Sequence, residues 1–142
     1  DYMPRNQNSN VINFTDKWKN LIKKVLVIDD NNLCLKVAAD TLNDQGIEVS
    51  IAENAKEALD MTNTQAFDLI LIDIGLPDSD GFTLANKIVE SKYNSNTILV
   101  ALTAHDKKSL LNEYHNSPFQ GLLVKPLDVN ELYDVLIAQN QT

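Results

Sequence analysis

The chain has 142 residues, which suits one domain of ordinary size with a buried core. Its 20 acidic residues outnumber 12 lysines and arginines, and the formal net charge of -8 argues against binding nucleic acid or an anionic membrane by this domain. The single cysteine excludes an intramolecular disulfide, and no apolar run approaches the roughly 18 residues that span a bilayer. We therefore expect a reducing, cytoplasmic location. Since the chain begins with aspartate, we expect it to be a piece of a longer protein.

Residues 1–23 are predicted to be a lead-in to the domain. Residues 1–10 are polar and rich in asparagine, which is typical of a flexible segment. The following apolar residues share one face of a helix: Val11, Phe14, Trp18, Leu21 and Ile22. Three interpretations are open, namely a helix packed on the domain or an upstream module, a partner-binding or dimerising helix, and a membrane-surface helix. We favour the first, and the short apolar face disfavours the last.

From Lys24 onward, short apolar runs alternate with segments of helical spacing. The continuous runs predict strands buried on both faces of a parallel sheet, at Val25–Ile28, Val49–Ala52, Leu69–Ile72, Ile98–Leu102 and Leu122–Val124. The predicted helices run from about Asn31 to Asn43, Asn54 to Asn63, Phe82 to Tyr93, Asp106 to His115, and onward from a cap at Asp128. This alternation predicts βαβ units, hence an α/β domain over residues 24–140 with helices on both faces of the sheet.

Polar residues stand where these strands end. The first strand ends in Asp29 and Asp30, the third in Asp73, the fourth in Thr103 and the fifth in Lys125. Ligands of open α/β sheets bind beyond the carboxyl ends of the strands. If the first and third strands are neighbours, three carboxylates, a hydroxyl and an ammonium converge there.

Such a cluster suits metal-assisted phosphoryl transfer. Carboxylates a few ångströms apart repel one another, and a hard divalent cation such as Mg²⁺ relieves that repulsion. Asp73 is the natural nucleophile, because the consecutive Asp29 and Asp30 are better placed to hold the metal. Lys125 offers a positive charge and Thr103 a hydroxyl to the phosphoryl oxygens.

These residues resemble the receiver domain of two-component response regulators and hybrid sensor histidine kinases. The resemblance covers about residues 24 to 138 and is carried by Val25-Leu-Val-Ile-Asp29-Asp30, Leu71-Ile-Asp73-Ile-Gly-Leu-Pro77-Asp-Ser-Asp80-Gly81, Ala101-Leu-Thr103-Ala104 and Leu123-Val-Lys125-Pro126-Leu127. It implies a flavodoxin-like (βα)5 three-layer sandwich, with a parallel five-stranded sheet in the order 2-1-3-4-5.

The resemblance also implies a role for each site residue. Asp73 would accept a phosphoryl group from a phosphohistidine, Thr103 would be the switch hydroxyl, and Lys125 would contact the phosphoryl group. Mg²⁺, for which Mn²⁺ could substitute, would be held by Asp30 directly, by Asp29 mostly through water, and by Asp73 and the Gly75 carbonyl. The Lys125–Pro126 peptide is expected to be cis.

Two places depart from the family pattern. Leu122 stands where many relatives carry an aromatic switch residue, and Gly75 stands where many carry a polar side chain. His105 is expected to be a solvated loop residue, with a proton relay as the alternative. Cys34 is expected to be a small buried hydrophobe rather than a reactive thiol. Asp78 and Asp80 are expected to be turn formers and not additional metal ligands.

The leading functional hypothesis is a phosphorelay switch that is not itself an enzyme beyond its own phosphorylation and dephosphorylation. Its expected partners are a histidine kinase and a histidine phosphotransfer domain, and its expected state is a monomer or weak dimer. We favour a hybrid kinase as the parent, in which case this would be the cytoplasmic part of a membrane-bound sensor; a stand-alone or truncated regulator is the alternative. Two other functions are disfavoured. A receiver-like module that binds partners without phosphorylation is disfavoured because all the site residues described above are present. A haloacid-dehalogenase-type phosphatase is disfavoured because it needs an aspartate where Gly75 stands.

Overall fold

A computed structural model describes residues 22–104 and 107–140 of the chain. The predicted helix over residues 11–22, apart from Ile22 itself, and the loop residue His105 lie outside this part of the chain.

Five strands and five α-helices alternate in the described residues, as the sequence pattern predicts. They are β1 (Lys24–Ile28), α1 (Asn32–Asn43), β2 (Glu48–Ala52), α2 (Ala55–Thr62), β3 (Leu69–Asp73), α3 (Gly81–Val89), β4 (Ile98–Thr103), α4 (Leu111–His115), β5 (Gly121–Val124) and α5 (Val129–Asn140). A 3₁₀ helix, Lys107–Leu110, leads into α4.

Side-chain caps set the starts of several helices at the predicted places. The Asn31 and Asn54 side chains accept hydrogen bonds from the Cys34 and Glu57 backbone N–H groups, which fixes the first turns of α1 and α2. After α1, Gly46 adopts a φ of 82°, a conformation that favours glycine and turns the chain toward β2.

Helix α3 ends at Val89, four residues earlier than the predicted end at Tyr93. The Ser91 N–H and hydroxyl both donate to the Ile88 carbonyl, at 3.0 and 2.6 Å. These bonds close the helix with local partners, so the apolar spacing beyond Val89 does not continue as helix.

All strands are parallel, and their order is β2-β1-β3-β4-β5, which confirms the expected topology. In the register, Ile28 is opposite Ala52 and Ile72, and Thr103 is opposite Val124. The residues that follow these positions therefore meet at one edge of the sheet.

The core has one half on each face of the sheet. Alternate side chains of β1 show this division, since Leu26 and Ile28 pack toward α2 and α3, and Val25 and Val27 pack toward α1 and α5. Strand β3 is buried along its whole length. This rigid two-sided packing fixes the backbone from which the strand-end side chains project.

At the opposite, amino edge of the sheet, the fully buried Asn94 joins three segments of the chain. Its Oδ1 accepts hydrogen bonds from the Phe67 N–H at 2.9 Å and the Thr97 hydroxyl at 3.0 Å. Its Nδ2 donates to the carbonyls of Thr62 at 2.7 Å and Gln65 at 2.9 Å. The side chain thereby connects the end of α2, the approach to β3 and the approach to β4.

Candidate functional site

The structure brings the predicted carboxylates together at the carboxyl edge of the sheet. Asp29, Asp30 and Asp73 each offer an oxygen, and these oxygens all lie within 4.8 Å of one another. The Lys125 ammonium lies 2.7 Å from Asp29 Oδ2 and 3.2 Å from Asp73 Oδ2. The adjacency of β1 and β3, on which the sequence prediction depended, produces this convergence.

The two consecutive aspartates after β1 differ in their surroundings. Asp29 is only 2% exposed, and its Oδ1 accepts a hydrogen bond from the Asn31 N–H at 2.9 Å. Asp30 is exposed to solvent. One carboxylate therefore belongs to the buried wall of the site, and the other stands at its mouth.

Asp73 ends β3 and is 7% exposed. Its Oδ1 accepts a hydrogen bond from the Gly75 N–H at 3.0 Å, and its Oδ2 faces Lys125. Burial raises the pKa of this carboxyl group and the Asp29 charge adds to the rise, while the Gly75 N–H and Lys125 oppose it without cancelling it. The ionised form of Asp73 is thus less well stabilised here than in water.

Lys125 is held in place by its own backbone as well as by its charge. Its N–H donates to the Thr103 carbonyl at 2.8 Å, and the Lys125–Pro126 peptide is cis, as expected. Burial lowers the pKa of the ammonium, but the hydrogen bond that the ammonium donates to Asp29 and the charge of Asp73 outweigh it, so the net pKa is raised. A permanent positive charge therefore lies between two carboxylates.

A cavity of about 320 Å³ opens beside Asp73. It is lined by Asp73, Ile74, Gly75, Thr103, Ala104, Ser109, Leu110 and Lys125. Thr103 is 3% exposed and forms part of its wall. A Cβ on Gly75 would lie 3.8 Å from Asp73 Oδ1, an ordinary contact, so the glycine leaves open a space that a side chain could fill.

The loop after β3 is fixed by close packing against α3. The Gly81 N–H donates to the Ile74 carbonyl at 3.0 Å, and a Cβ on Gly81 would lie 2.8 Å from Ile74 Cα. Only glycine allows this approach, which holds the Asp73–Gly75 turn beneath the cavity.

Asp78 lies in the bend over residues 77–79 and Asp80 follows it, and both residues also cap helices. Asp80 accepts a hydrogen bond from the Thr83 N–H at 2.9 Å and caps α3. Asp78 accepts from the Ala55 N–H at 2.9 Å and thus caps α2 from a distant loop. These bonds lower the pKa of both carboxyl groups. Neither residue belongs to the cluster of Asp29, Asp30 and Asp73.

Two further residues have surroundings that differ from, or add to, the predictions. Leu122, which stands where the family pattern often has an aromatic residue, is 8% exposed and packs in the core. Cys34 is half-buried rather than buried and lines an apolar groove next to Asp29.

Sequence reasoning missed Asn31, Ser109 and Leu110 as parts of the site. Asn31 contributes through its backbone N–H, and the other two reach the cavity because a 3₁₀ helix follows β4. The residue type does not reveal a backbone donor or the conformation of a loop, so these contributions could not be predicted. The residues at the strand ends could be predicted because apolar side chains give way to polar ones there.

The donor set fits a hard divalent cation. Three carboxylates at this spacing match the oxygen ligands that Mg²⁺ prefers, and one of them is exposed to solvent water.

Among the described residues, no helix is both long and apolar enough to cross a membrane.

Comparisons with known proteins agree with this geometry. The profile of the response regulator receiver domain family matches residues 25–137. The signal transduction histidine-protein kinase BarA of Escherichia coli (strain K12) is 29% identical over 123 residues, covering 87% of this chain and 13% of BarA. The sensor protein GacS of Pseudomonas syringae pv. syringae is 35% identical over 121 residues, covering 80% of this chain and 13% of GacS. The chain therefore spans a small part of the length of these relatives.

A solved structure gives the same fold. The chemotaxis protein CheY4 of Vibrio cholerae superposes with a TM-score of 0.74 at 28% identity, covering 82% of this chain and 98% of CheY4.

Proposed function

This chain belongs to the response regulator receiver domain family of two-component signalling, and from that premise we propose that Asp73 accepts a phosphoryl group from a phosphohistidine in a Mg²⁺-dependent reaction. The observation that carries the proposal is the buried Asp73 carboxylate, held between the Gly75 N–H and Lys125 at the floor of an open cavity. We place the receiver domain at residues 24–140.

The proposed reaction exchanges one bond to phosphorus for another. A carboxylate oxygen of Asp73 attacks the phosphorus atom, the P–N bond of the phosphohistidine breaks, and the imidazole leaves with its bonding electron pair and takes up a proton. Because the pKa of Asp73 is raised, its anion is less well stabilised here than in water, which makes the ionised oxygen a better nucleophile.

Lys125 and Thr103 are proposed to receive the transferred group. The ammonium already bonds Asp73 Oδ2 at 3.2 Å and can follow the negative charge as it moves onto the phosphoryl oxygens. Thr103 borders the same cavity and can donate its hydroxyl hydrogen to one of them. This new contact at the end of β4 is the proposed switch, which reaches the surface through α4, β5 and α5.

Asp29, Asp30, Asp73 and the Gly75 carbonyl are proposed to hold Mg²⁺, with Mn²⁺ as a substitute. The ion would supply charge neutralisation for the transferring phosphoryl group. Asp29 already shares its Oδ2 with Lys125, whereas the exposed Asp30 forms no ion pair within residues 22–104 and 107–140. Asp30 is therefore proposed as the direct ligand, and Asp29 as one that acts through water.

The parent protein is proposed to be a hybrid histidine kinase, because BarA is a signal transduction histidine-protein kinase, GacS is a sensor protein, and this chain matches 13% of each. The proposed partners are a histidine kinase and a histidine phosphotransfer domain, without contact to nucleic acid or membrane by this domain. We propose a cytoplasmic location, a monomer or weak dimer, and no enzymatic activity apart from self-catalysed phosphorylation and dephosphorylation.

The test is intact-mass analysis after incubation with Mg²⁺ and phosphoimidazole, whose P–N bond is that of a phosphohistidine. We expect one phosphoryl adduct on the unaltered chain, none on Asp73→Asn, and none when a chelator removes the metal. Asp44→Asn, at an exposed helix end, is the matched control and should be phosphorylated normally.

Each alternative gives a different outcome in that experiment. An equal adduct on Asp73→Asn would contradict the assignment of the acceptor. No adduct on either protein would favour an interaction module that works without phosphorylation. Continuous release of phosphate over many turnovers would favour a phosphatase, although position 75 offers no carboxyl group for the general acid of that reaction.

A further inference from the structure

An apolar groove lies beside the carboxylate site, on the face of the sheet that carries α1 and α5. It encloses about 160 Å³, and its walls include Cys34, Ala38, Leu102 and Leu127. Asp29 and Lys125 also line it, so the groove and the candidate acceptor site share a wall. Leu33 and Val37, one helical turn apart on α1, border the groove and are 70% and 41% exposed. Large apolar side chains at such positions mark a surface that another element can cover.

The chain itself contains a segment that suits this surface. The apolar positions Val11, Phe14, Trp18 and Leu21 recur at helical spacing in residues that precede the described part of the chain. The pattern leads directly into Ile22, which is 2% exposed and packs in the core half that contains α1 and α5. The segment therefore joins the domain on the same face of the sheet as the groove.

The point of entry and the length agree with docking there. The Lys23 and Lys24 N–H groups donate to Asp68 Oδ2 at 2.9 and 3.0 Å, which fixes the chain at the amino edge of the sheet. The groove lies at the carboxyl edge, beyond the five residues of β1, which span about 16 Å. A helix over residues 11–21 would also span about 16 Å. Folded back along the sheet, it would reach from Ile22 to the groove.

Charge favours this occupant as well. The first 23 residues carry an excess of positive charge, from Arg5, Lys17, Lys19 and Lys23 against Asp1 and Asp16, while the whole chain is acidic. The exposed surface of α5, which flanks the same face, presents Glu131 and Asp134. The segment and this flank of the domain therefore carry charges of opposite sign, which favours their association.

We propose that residues 11–21 dock as a helix along α1 and cover the groove, with their apolar face on Leu33 and Val37. The docked segment would occupy the surface next to Asp29 and Lys125. The docking needs neither Mg²⁺ nor phosphorylation, so its test is independent of the proposed function.

The sole tryptophan, Trp18, lies in the segment and reports its environment in the full chain. We expect a blue-shifted emission and strong protection from acrylamide. Val37→Gln removes the burial of one aliphatic side chain, which contributes a free energy close to ~1.4 kcal/mol. It should therefore lower the equilibrium constant for docking by about tenfold. Leu111→Gln is the matched control, because Leu111 is 39% exposed but lies on α4, away from the groove.

The sole cysteine, Cys34, gives a second reading from the other side of the contact. Phe14→Ala and Trp18→Ala should raise its reaction rate with a charged maleimide about tenfold, by the same energetic argument. Far-UV circular dichroism would show that the variants remain folded.

Four results would overturn the proposal. The first is a solvent-exposed Trp18 in the unaltered chain, and the second is equal protection of Trp18 from acrylamide in Val37→Gln and Leu111→Gln. The third is a maleimide reaction rate of Cys34 that Phe14→Ala and Trp18→Ala do not change. The fourth is a protection of Trp18 that disappears when the protein is diluted. The last would place a second copy of the chain in the groove. Protection that is independent of concentration and sensitive to Val37 alone would support the proposal.

Discussion

At the scale of single residues, the site is a balance between two carboxylates and one ammonium. Asp29 and Asp73 are both buried and repel each other, and Lys125 bonds both. The surroundings disfavour the charged form of Asp73 and favour the charged form of Lys125. The pKa of Asp73 is raised, chiefly by burial, so its charge remains poorly compensated even with Lys125 in place.

Replacing Asp73 by Asn should therefore stabilise the metal-free protein. As pH rises from 3.8 toward the raised pKa of the folded state, the unfolded chain loses its proton first, so Asp73 removes stability across that window. We expect Asp73→Asn to gain on the order of 1 kcal/mol at neutral pH, a size common for stabilising substitutions. Urea unfolding in chelator across a pH series would measure it. The gain should grow with rising pH and then level off; a gain that grows as pH falls would contradict the argument.

Lys125→Met should act in the opposite direction. The substitution keeps most of the apolar stem but leaves Asp29, which is 2% exposed, without its cation. We expect a loss of about 2–3 kcal/mol in the free energy of unfolding, because a buried charge without a partner is costly. Urea unfolding at neutral pH would measure this loss.

Lys36→Met is the control for Lys125→Met, since Lys36 pairs with Asp40 on the surface of α1 at side-chain exposures of 74% and 62%. Its loss should be about 0.5 kcal/mol or less. Equal losses in the two variants would show that the pair at the site stabilises the fold no more than a surface pair does.

At the scale of elements, the sequence predicted what side-chain type determines. All five strands and the helix caps Asn31, Asn54 and Asp128 lie where apolar runs and capping residues indicate. The site residues were predictable because each follows a strand directly. The pairing of β1 with β3 required the family resemblance, since an apolar run does not specify its neighbour.

Features that depend on distant contacts were not predictable. Asp78 caps α2 from a loop that follows β3, and no local pattern indicates that partner. The 3₁₀ turn that brings Ser109 to the cavity depends on loop conformation in the same way. Cys34 is half-buried because the groove beside it is open, which its helical spacing alone does not reveal.

Asn94 shows how one such distant contact supports three elements. Asn94→Ala would leave the buried Phe67 N–H and two carbonyl groups without the amide that now bonds them. We expect a loss of about 2–4 kcal/mol, since each unsatisfied buried polar group costs about 1–3 kcal/mol and part of that cost can be relieved by water. Thermal or urea unfolding would measure it. The exposed Asn96, in the same loop, is the control, and Asn96→Ala should change stability by less than about 0.5 kcal/mol.

At the scale of the whole molecule, the contacts that stabilise the fold and the charged groups of the site lie in different parts of the sheet. The two core halves and the Asn94 contacts fix the sheet at its centre and amino edge, while the charged groups gather at the carboxyl edge. Because the carboxylates project from a rigid backbone, they cannot move apart to relieve their repulsion. A bound cation should therefore stabilise the molecule as a whole.

Thermal unfolding followed by circular dichroism would measure that stabilisation. At ten times its dissociation constant, Mg²⁺ should add about 1.4 kcal/mol to the free energy of unfolding, relative to sodium chloride of equal ionic strength. Asp30→Asn should weaken the effect strongly, because Asp30 is one of the three clustered carboxylates, while Asp44→Asn at the end of α1 should retain it. An equal Mg²⁺ effect in all three proteins would mean that the ion acts through general screening. An effect lost only in Asp30→Asn would identify the carboxyl edge of the sheet as the place where the cation binds.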